Sequence, residues 1–122
     1  MIGPFRSGEL KIDVPLPSAS RLKLDWRGRS AGRNPGADLQ PFLGEVLQAA
    51  RAAGVTVEMH FEALEYFNSS TVSVLVDFVR SACAQQVPLY ITYCGDVRWQ
   101  RLSFDALKVF ASLDHNCHVM PA

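Results

Sequence analysis

Cysteine is scarce in this chain, and the three present, Cys83, Cys94 and Cys117, include no CxxC pair. An odd count without that spacing excludes a disulfide framework and a zinc knuckle, so reduced and mostly buried thiols are expected. Charge of one sign is lacking too. Twelve basic and twelve acidic side chains give a formal net charge of +0, which leaves no overall field to recruit nucleic acid or an anionic membrane. No apolar run approaches the roughly 18 residues of a membrane span. The opening Met1-Ile2-Gly3-Pro4-Phe5-Arg6 lacks the basic start and apolar stretch of a secretory signal. A cytoplasmic location is therefore the expectation. With no internal repeat and no low-complexity tail, one domain is expected over 1–122, with a core over about 20–120 and residues 1–20 as an N-terminal strand and connection.

What the chain does contain suffices for a core. Its 122 residues are 48% hydrophobic and 20% charged, and a domain of this size buries roughly two-thirds of the surface that its unfolded chain exposes. Short strands are read near Glu9–Val14 and Arg21–Trp26, joined by Pro15-Leu16-Pro17-Ser18. In the second, Leu22, Leu24 and Trp26 alternate with Arg21, Lys23 and Asp25, the period of a half-buried strand. Gly28 to Gly36 has no apolar periodicity and reads as a surface loop, with neither P-loop nor GxGxxG spacing for a phosphate. Arg21, Lys23, Arg27, Arg29 and Arg33 make the first third basic, which fits a solvated strand edge and loop more readily than an anion contact.

Leu39, Phe42, Leu43, Val46, Leu47 and Ala50 recur at helical spacing, predicting a helix over 38–53 that Gly54 stops. Val55, Val57, Met59 and Phe61 then alternate with Thr56, Glu58 and His60. A strand buried on both sides does not carry Glu and His on one of them, so one sheet face is thinly covered. Glu58 and His60 share that face, yet no nucleophile or metal motif accompanies them; a solvated face is the reading, with acid–base work not expected. A second helix is predicted over 70–85, a strand over Leu89–Tyr93, a third helix over about 98–111 with Leu102, Leu107 and Phe110 toward the core and Phe104 and Val109 less clearly placed, and a closing strand near Asn116–Met120. His115, Cys117 and His118 lie close in that last stretch, but no second ligand cluster completes a metal site. The fold class is α/β in the order β-β-α-β-α-β-α-β, a mostly parallel sheet with helices mainly on one face.

The strongest functional signal is Asn68-Ser69-Ser70-Thr71, small polar residues crowding one strand-to-helix junction after Tyr66-Phe67. A short side-chain oxygen caps the first turn of a helix, which accounts for one of Asn68, Ser69 and Ser70. The surplus hydroxyls leave room for a phosphate, which would find unpaired N–H groups and the positive end of the helix dipole. A hydrolase with Ser69 or Ser70 as nucleophile would need a base and an oxyanion hole. GxSxG is absent and no His stands beside these serines, so no catalytic residue and no enzyme are expected. Trp99, preceded by Arg98 and followed two positions on by Arg101, has two open readings: a binding anchor or packing over the sheet end.

Phe67-Asn68-Ser69-Ser70-Thr71-Val72 opening a helix, followed by a Val-Pro-Leu-Tyr-Ile strand, resembles the STAS domain (the SpoIIAA-like fold) of anti-sigma-factor antagonists, where the junction reads Asp-Ser-Ser-Gly and its first Ser takes the phosphate. Tyr66 to Thr71 also resembles the Tyr-Phe-Asn-Thr-Ser-Ser element of SiaC-type regulatory phosphoproteins, whose Thr acceptor falls on Ser69. Over roughly residues 22–120 the chain is similar to bacterial STAS-like regulators with Asn-Ser-Ser-Thr at the junction and an element like Trp99-Gln100-Arg101-Leu102-Ser103-Phe104-Asp105-Ala106-Leu107. The resemblance implies a phosphoprotein of a partner-switching system with Ser69 as acceptor. With the residue reading of Trp99, partner contacts are expected through Asn68, Ser69, Ser70, Thr71, Arg98, Trp99 and Arg101, with no cofactor or metal. The implied partners are a histidine-kinase-like Ser/Thr kinase, a PP2C-type phosphatase and a downstream effector. Asn68 in place of Asp and Thr71 in place of Gly depart from the antagonist pattern, and Ser70 and Thr71 stay open as alternative acceptors. The alternative function is a constitutive interaction or assembly module without phosphorylation.

Overall fold

The computed structural model describes residues 3–15, 21–30, 35–111 and 117–122. In chain order the elements are β1 (Phe5–Ser7), β2 (Leu10–Asp13), β3 (Arg21–Ser30), α1 (Pro35–Ala53), β4 (Thr56–His60), β5 (Leu64–Phe67), α2 (Ser69–Ala84), β6 (Leu89–Tyr93), α3 (Arg98–Ala111) and β7 (Cys117–Pro121). The strands form one sheet in the order β1-β2-β3-β4-β6-β7, with β5 paired to β3 beyond the end of β4. β1, β2 and β3 are antiparallel neighbours, and every pairing from β3 onward is parallel.

That order explains the layering. From β3 to β4 to β6 to β7 the chain always steps toward the same edge, and parallel crossovers are right-handed, so α1, α2 and α3 all fall on one face. Leu24, Trp26, Met59 and Ile91 point into that helical layer and are fully buried, each contributing roughly 1.5–3 kcal/mol by leaving water. Trp26 packs its indole 4.7 Å from the Phe61 ring. Its N–H is the one buried side-chain polar group among the described residues with no acceptor. On the other face stand Arg21, Lys23, Glu58, His60, Tyr90 and Thr92, exposed or half-buried, as the alternation in the sequence requires.

The expected element order is corrected in three places. The N-terminal strand is a hairpin, because Phe5–Ser7 folds back on Leu10–Asp13. β3 runs to Ser30 and α1 begins at Pro35, so both ends of the predicted Gly28–Gly36 loop belong to regular elements; residues 31–34 lie outside the described residues. Gly28 belongs to the strand for a steric reason: at φ +82° a Cβ there would lie 2.0 Å from the Glu9 carbonyl oxygen, a position only glycine can hold. The third correction is β5, a separate strand that takes up β3 where β4 leaves it, across a register shift at Gly28/Arg29.

α3 is corrected in its facing. Phe104 and Leu107 are buried, whereas Leu102 is 58% and Val109 65% exposed; the Phe110 side chain lies outside the described residues. The inward row is Gln100, Phe104 and Leu107, at i, i+4 and i+7. Gln100 is 1% exposed. Its Oε1 accepts the Cys94 N–H at 2.7 Å, and its Nε2 donates to the carbonyls of Phe61 at 2.8 Å and Leu64 at 2.9 Å. This one amide therefore pins α3 to the corner where β4 breaks into β5.

Candidate functional site

The junction is built from β3, β5 and α2. Asn68 has extended backbone, φ −92° and ψ 177°, and caps α2 by accepting the Thr71 N–H on its side-chain oxygen at 3.2 Å. Its own N–H donates to the Ser30 carbonyl at 3.0 Å, and its carbonyl accepts the first helical bond from the Val72 N–H. Thr71 is fully buried. Its hydroxyl donates to Asn68 Oδ1 at 3.2 Å and lies 2.6 Å from Ser30 Oγ, which is itself buried. Ser30 thus holds the junction through its carbonyl and its hydroxyl, a role that no local sequence signal announces.

The other two hydroxyls are placed differently. Ser69, the first residue of α2, is exposed, and Ser70 is half-buried. Their N–H groups belong to the first turn, which has no intrahelical acceptor to offer. The turn carries no acidic residue that would compete for the positive end of the dipole.

Trp99 reaches this junction from α3. Its ring meets Phe67 edge-on at 5.1 Å between centroids and Tyr66 at 6.5 Å, and it remains half-buried. Packing over the sheet end is therefore part of its role. Tyr66 is 40% exposed, and the Arg29 guanidinium lies 5.5 Å from its ring centroid, a cation–π contact. Arg98 and Arg101 are exposed. On α3 the residues Leu102, Ala106 and Val109 continue the helical spacing from Trp99; Trp99 is half-buried against the core and the other three are exposed. The sequence reading named Arg29 only within a basic first third and Tyr66 only within the junction motif, and it missed this outer row; the signal was the spacing of Leu102, Ala106 and Val109, masked by the assignment of Leu102 to the core.

Glu58 and His60 do not form a loosely solvated pair. His60 Nε2 lies 2.6 Å from Glu58 Oε1 and Nδ1 2.7 Å from Thr92 Oγ1, while the Thr92 hydroxyl donates to Glu62. Arg21 donates to the second oxygen of Glu58 at 2.7 Å. Burial pushes the Glu58 carboxyl up, but the hydrogen bonds and charges of Arg21 and His60 outweigh it and leave the group below the usual carboxylate range. The cluster is closed on itself. Among the described residues no group of three or more His, Cys, Asp or Glu side chains is placed to hold a metal ion; His115 lies outside them. Among the same residues, no helix is long and apolar enough to cross a membrane.

No protein-family model matches the chain, and no curated protein matches it in sequence. In structure it is similar to SiaC in the crystal structure of diguanylate cyclase SiaD in complex with its activator SiaC from Pseudomonas aeruginosa, with a TM-score of 0.57 and 14% sequence identity over 98% of each chain. At that identity the likeness shows the fold: a mixed α/β domain with a mostly parallel sheet and three helices.

Proposed function

We propose that this chain is a non-enzymatic, STAS-like regulator of a cytoplasmic partner-switching system. It docks a histidine-kinase-like Ser/Thr kinase or another effector through the face around Ser69, and phosphorylation of Ser69 breaks that dock. A PP2C-type phosphatase returns it to the docking form. The observation that carries this reading is the split among the hydroxyls: Ser69 stands exposed at the helix start while Thr71 is sealed between Ser30 and Asn68. Burial leaves Thr71 no route to a kinase, and Ser70 is the less accessible of the remaining two.

The docking face extends from the junction onto α3. Tyr66, Trp99 and Leu102 supply apolar contact, and Arg29, Arg98 and Arg101 supply a basic surround that suits an acidic partner surface. A phosphate on Ser69 brings about −1.5 to −2 charges. It pairs locally with the helix N–H groups and repels the same acidic surface. The dock is lost by electrostatics, with no refolding. SiaC, whose fold this chain resembles, is described as the activator of an enzyme and is seen in complex with it, which supports a protein partner.

Phosphotransfer from a histidine-kinase-like Ser/Thr kinase tests the assignment. The wild-type chain is expected to be labelled and Ser69→Ala to remain unlabelled; equal labelling of both would remove Ser69 from the mechanism. Ser69→Asp is expected to bind the kinase at least about tenfold more weakly, a loss of ~1.4 kcal/mol. Unchanged binding by Ser69→Asp, with no phosphate on the protein from cells, would favour the constitutive interaction module.

A further inference from the structure

We propose that Cys83 and Cys117 form a reversible intramolecular disulfide that ties the last turn of α2 to the edge strand β7, a modification site independent of the docking reading. Cys83 is half-buried on α2, and Cys117 is buried at the start of β7, in register with Leu89 of β6. The two residues are 34 positions apart in sequence, yet their sulfurs lie 2.6 Å from each other. A disulfide bond is ~2.04 Å long, so the two sulfurs already stand within contact of each other. Cys94 is half-buried in a different place, at the turn from β6 into α3, where its N–H is held by Gln100.

The co-reactant is a low-molecular-weight disulfide of the glutathione type. The thiolate of Cys83, the more exposed of the pair, attacks one sulfur of that disulfide; a mixed disulfide forms and one small thiolate leaves, to be protonated by water. The Cys117 thiolate then attacks the Cys83 sulfur, and the second small thiolate leaves. The protein loses two protons and two electrons, and the co-reactant takes up the same to become two thiols. Excess small thiol runs the steps backward. The closed loop contains β6 and α3, so oxidation cross-links the β-α-β unit that carries Trp99, and a link of that span stabilises mainly by restricting the unfolded chain.

The test equilibrates the full chain in glutathione buffers of rising disulfide content, quenches with acid, alkylates, and digests without reduction. The expected product has lost the mass of two hydrogens, with the Cys83 and Cys117 peptides joined and Cys94 alkylated, and excess reduced glutathione restores the starting mass. Its thermal midpoint is expected to rise by on the order of 10 °C over the reduced protein, a rise absent from Cys117→Ser and from Cys83→Ser. Cys117→Ser is expected to trap glutathione on Cys83. A stable mixed disulfide on the wild-type chain, a pairing that involves Cys94, or three alkylated thiols at full disulfide excess would each overturn the proposal.

Discussion

Two polar clusters in this molecule use the same kinds of side chain and end in opposite conditions. On the open sheet face, Arg21, Glu58, His60, Thr92 and Glu62 bond to one another across β3, β4, β6 and the turn after β4. At the start of α2, Ser30, Asn68 and Thr71 close up in the same way, but Ser69 beside them stays in solvent. A cluster whose members bond to one another serves the fold. A hydroxyl left over at a helix start, beside N–H groups without intrahelical partners, is free to take up chemistry.

The contrast breaks first at Thr71. Thr71→Val keeps the shape and removes the hydroxyl, which leaves the buried Ser30 Oγ without that partner and Asn68 with one bond fewer; a loss of about 2 kcal/mol is expected in urea unfolding. A loss below about 0.5 kcal/mol would mean that the inner hydroxyl is as dispensable as a surface one. Glu58→Gln sharpens the other side, with about 1 kcal/mol expected at neutral pH. The sign of its pH dependence follows from a carboxyl held below its ordinary value. The stabilisation is fully present above the unfolded glutamate pKa of about 4.3 and is lost as pH falls through the lower folded value. The gap between wild type and Glu58→Gln should therefore be constant above about pH 5 and close under more acid conditions; a gap that widens there would reverse the assignment. Ser69→Ala should be nearly silent in the same unfolding experiment, within about 0.5 kcal/mol, since an exposed first-turn residue that is not the cap contributes little to the fold.

Long periodic segments were legible in the sequence, and short or tertiary ones were not. The apolar row of α1 and the alternation in β3, β4 and β6 carry enough repeats to fix both element and facing, whereas α2 was legible as a helix but buries Val74 and Phe78, which a row through Val72, Val76 and Cys83 leaves out. β1 and β5, at three and four residues, are too short to show a period. α3 misled because Leu102 and Phe104 are both apolar and only packing decides which turns inward. The crowd of small polar residues marked the junction, and the Asn-Ser-Ser-Thr resemblance sharpened it. What separates Thr71 from Ser69 is a serine 41 positions away, and what anchors α3 is an amide that bonds to three distant backbone groups. Neither partnership leaves a local mark.

The split between β4 and β5 has a geometric consequence. Asp25 of β3 pairs with His60 at the end of β4, and Ser30 pairs with Phe67 at the end of β5. Five residues of extended strand span about 16 Å, somewhat less across the bulge. α2 therefore departs from an extension that reaches past the end of β4, and Trp99 packs on that extension through Phe67 and Tyr66. Ser69 thus begins its helix about five residues of β3 farther along than the end of β4.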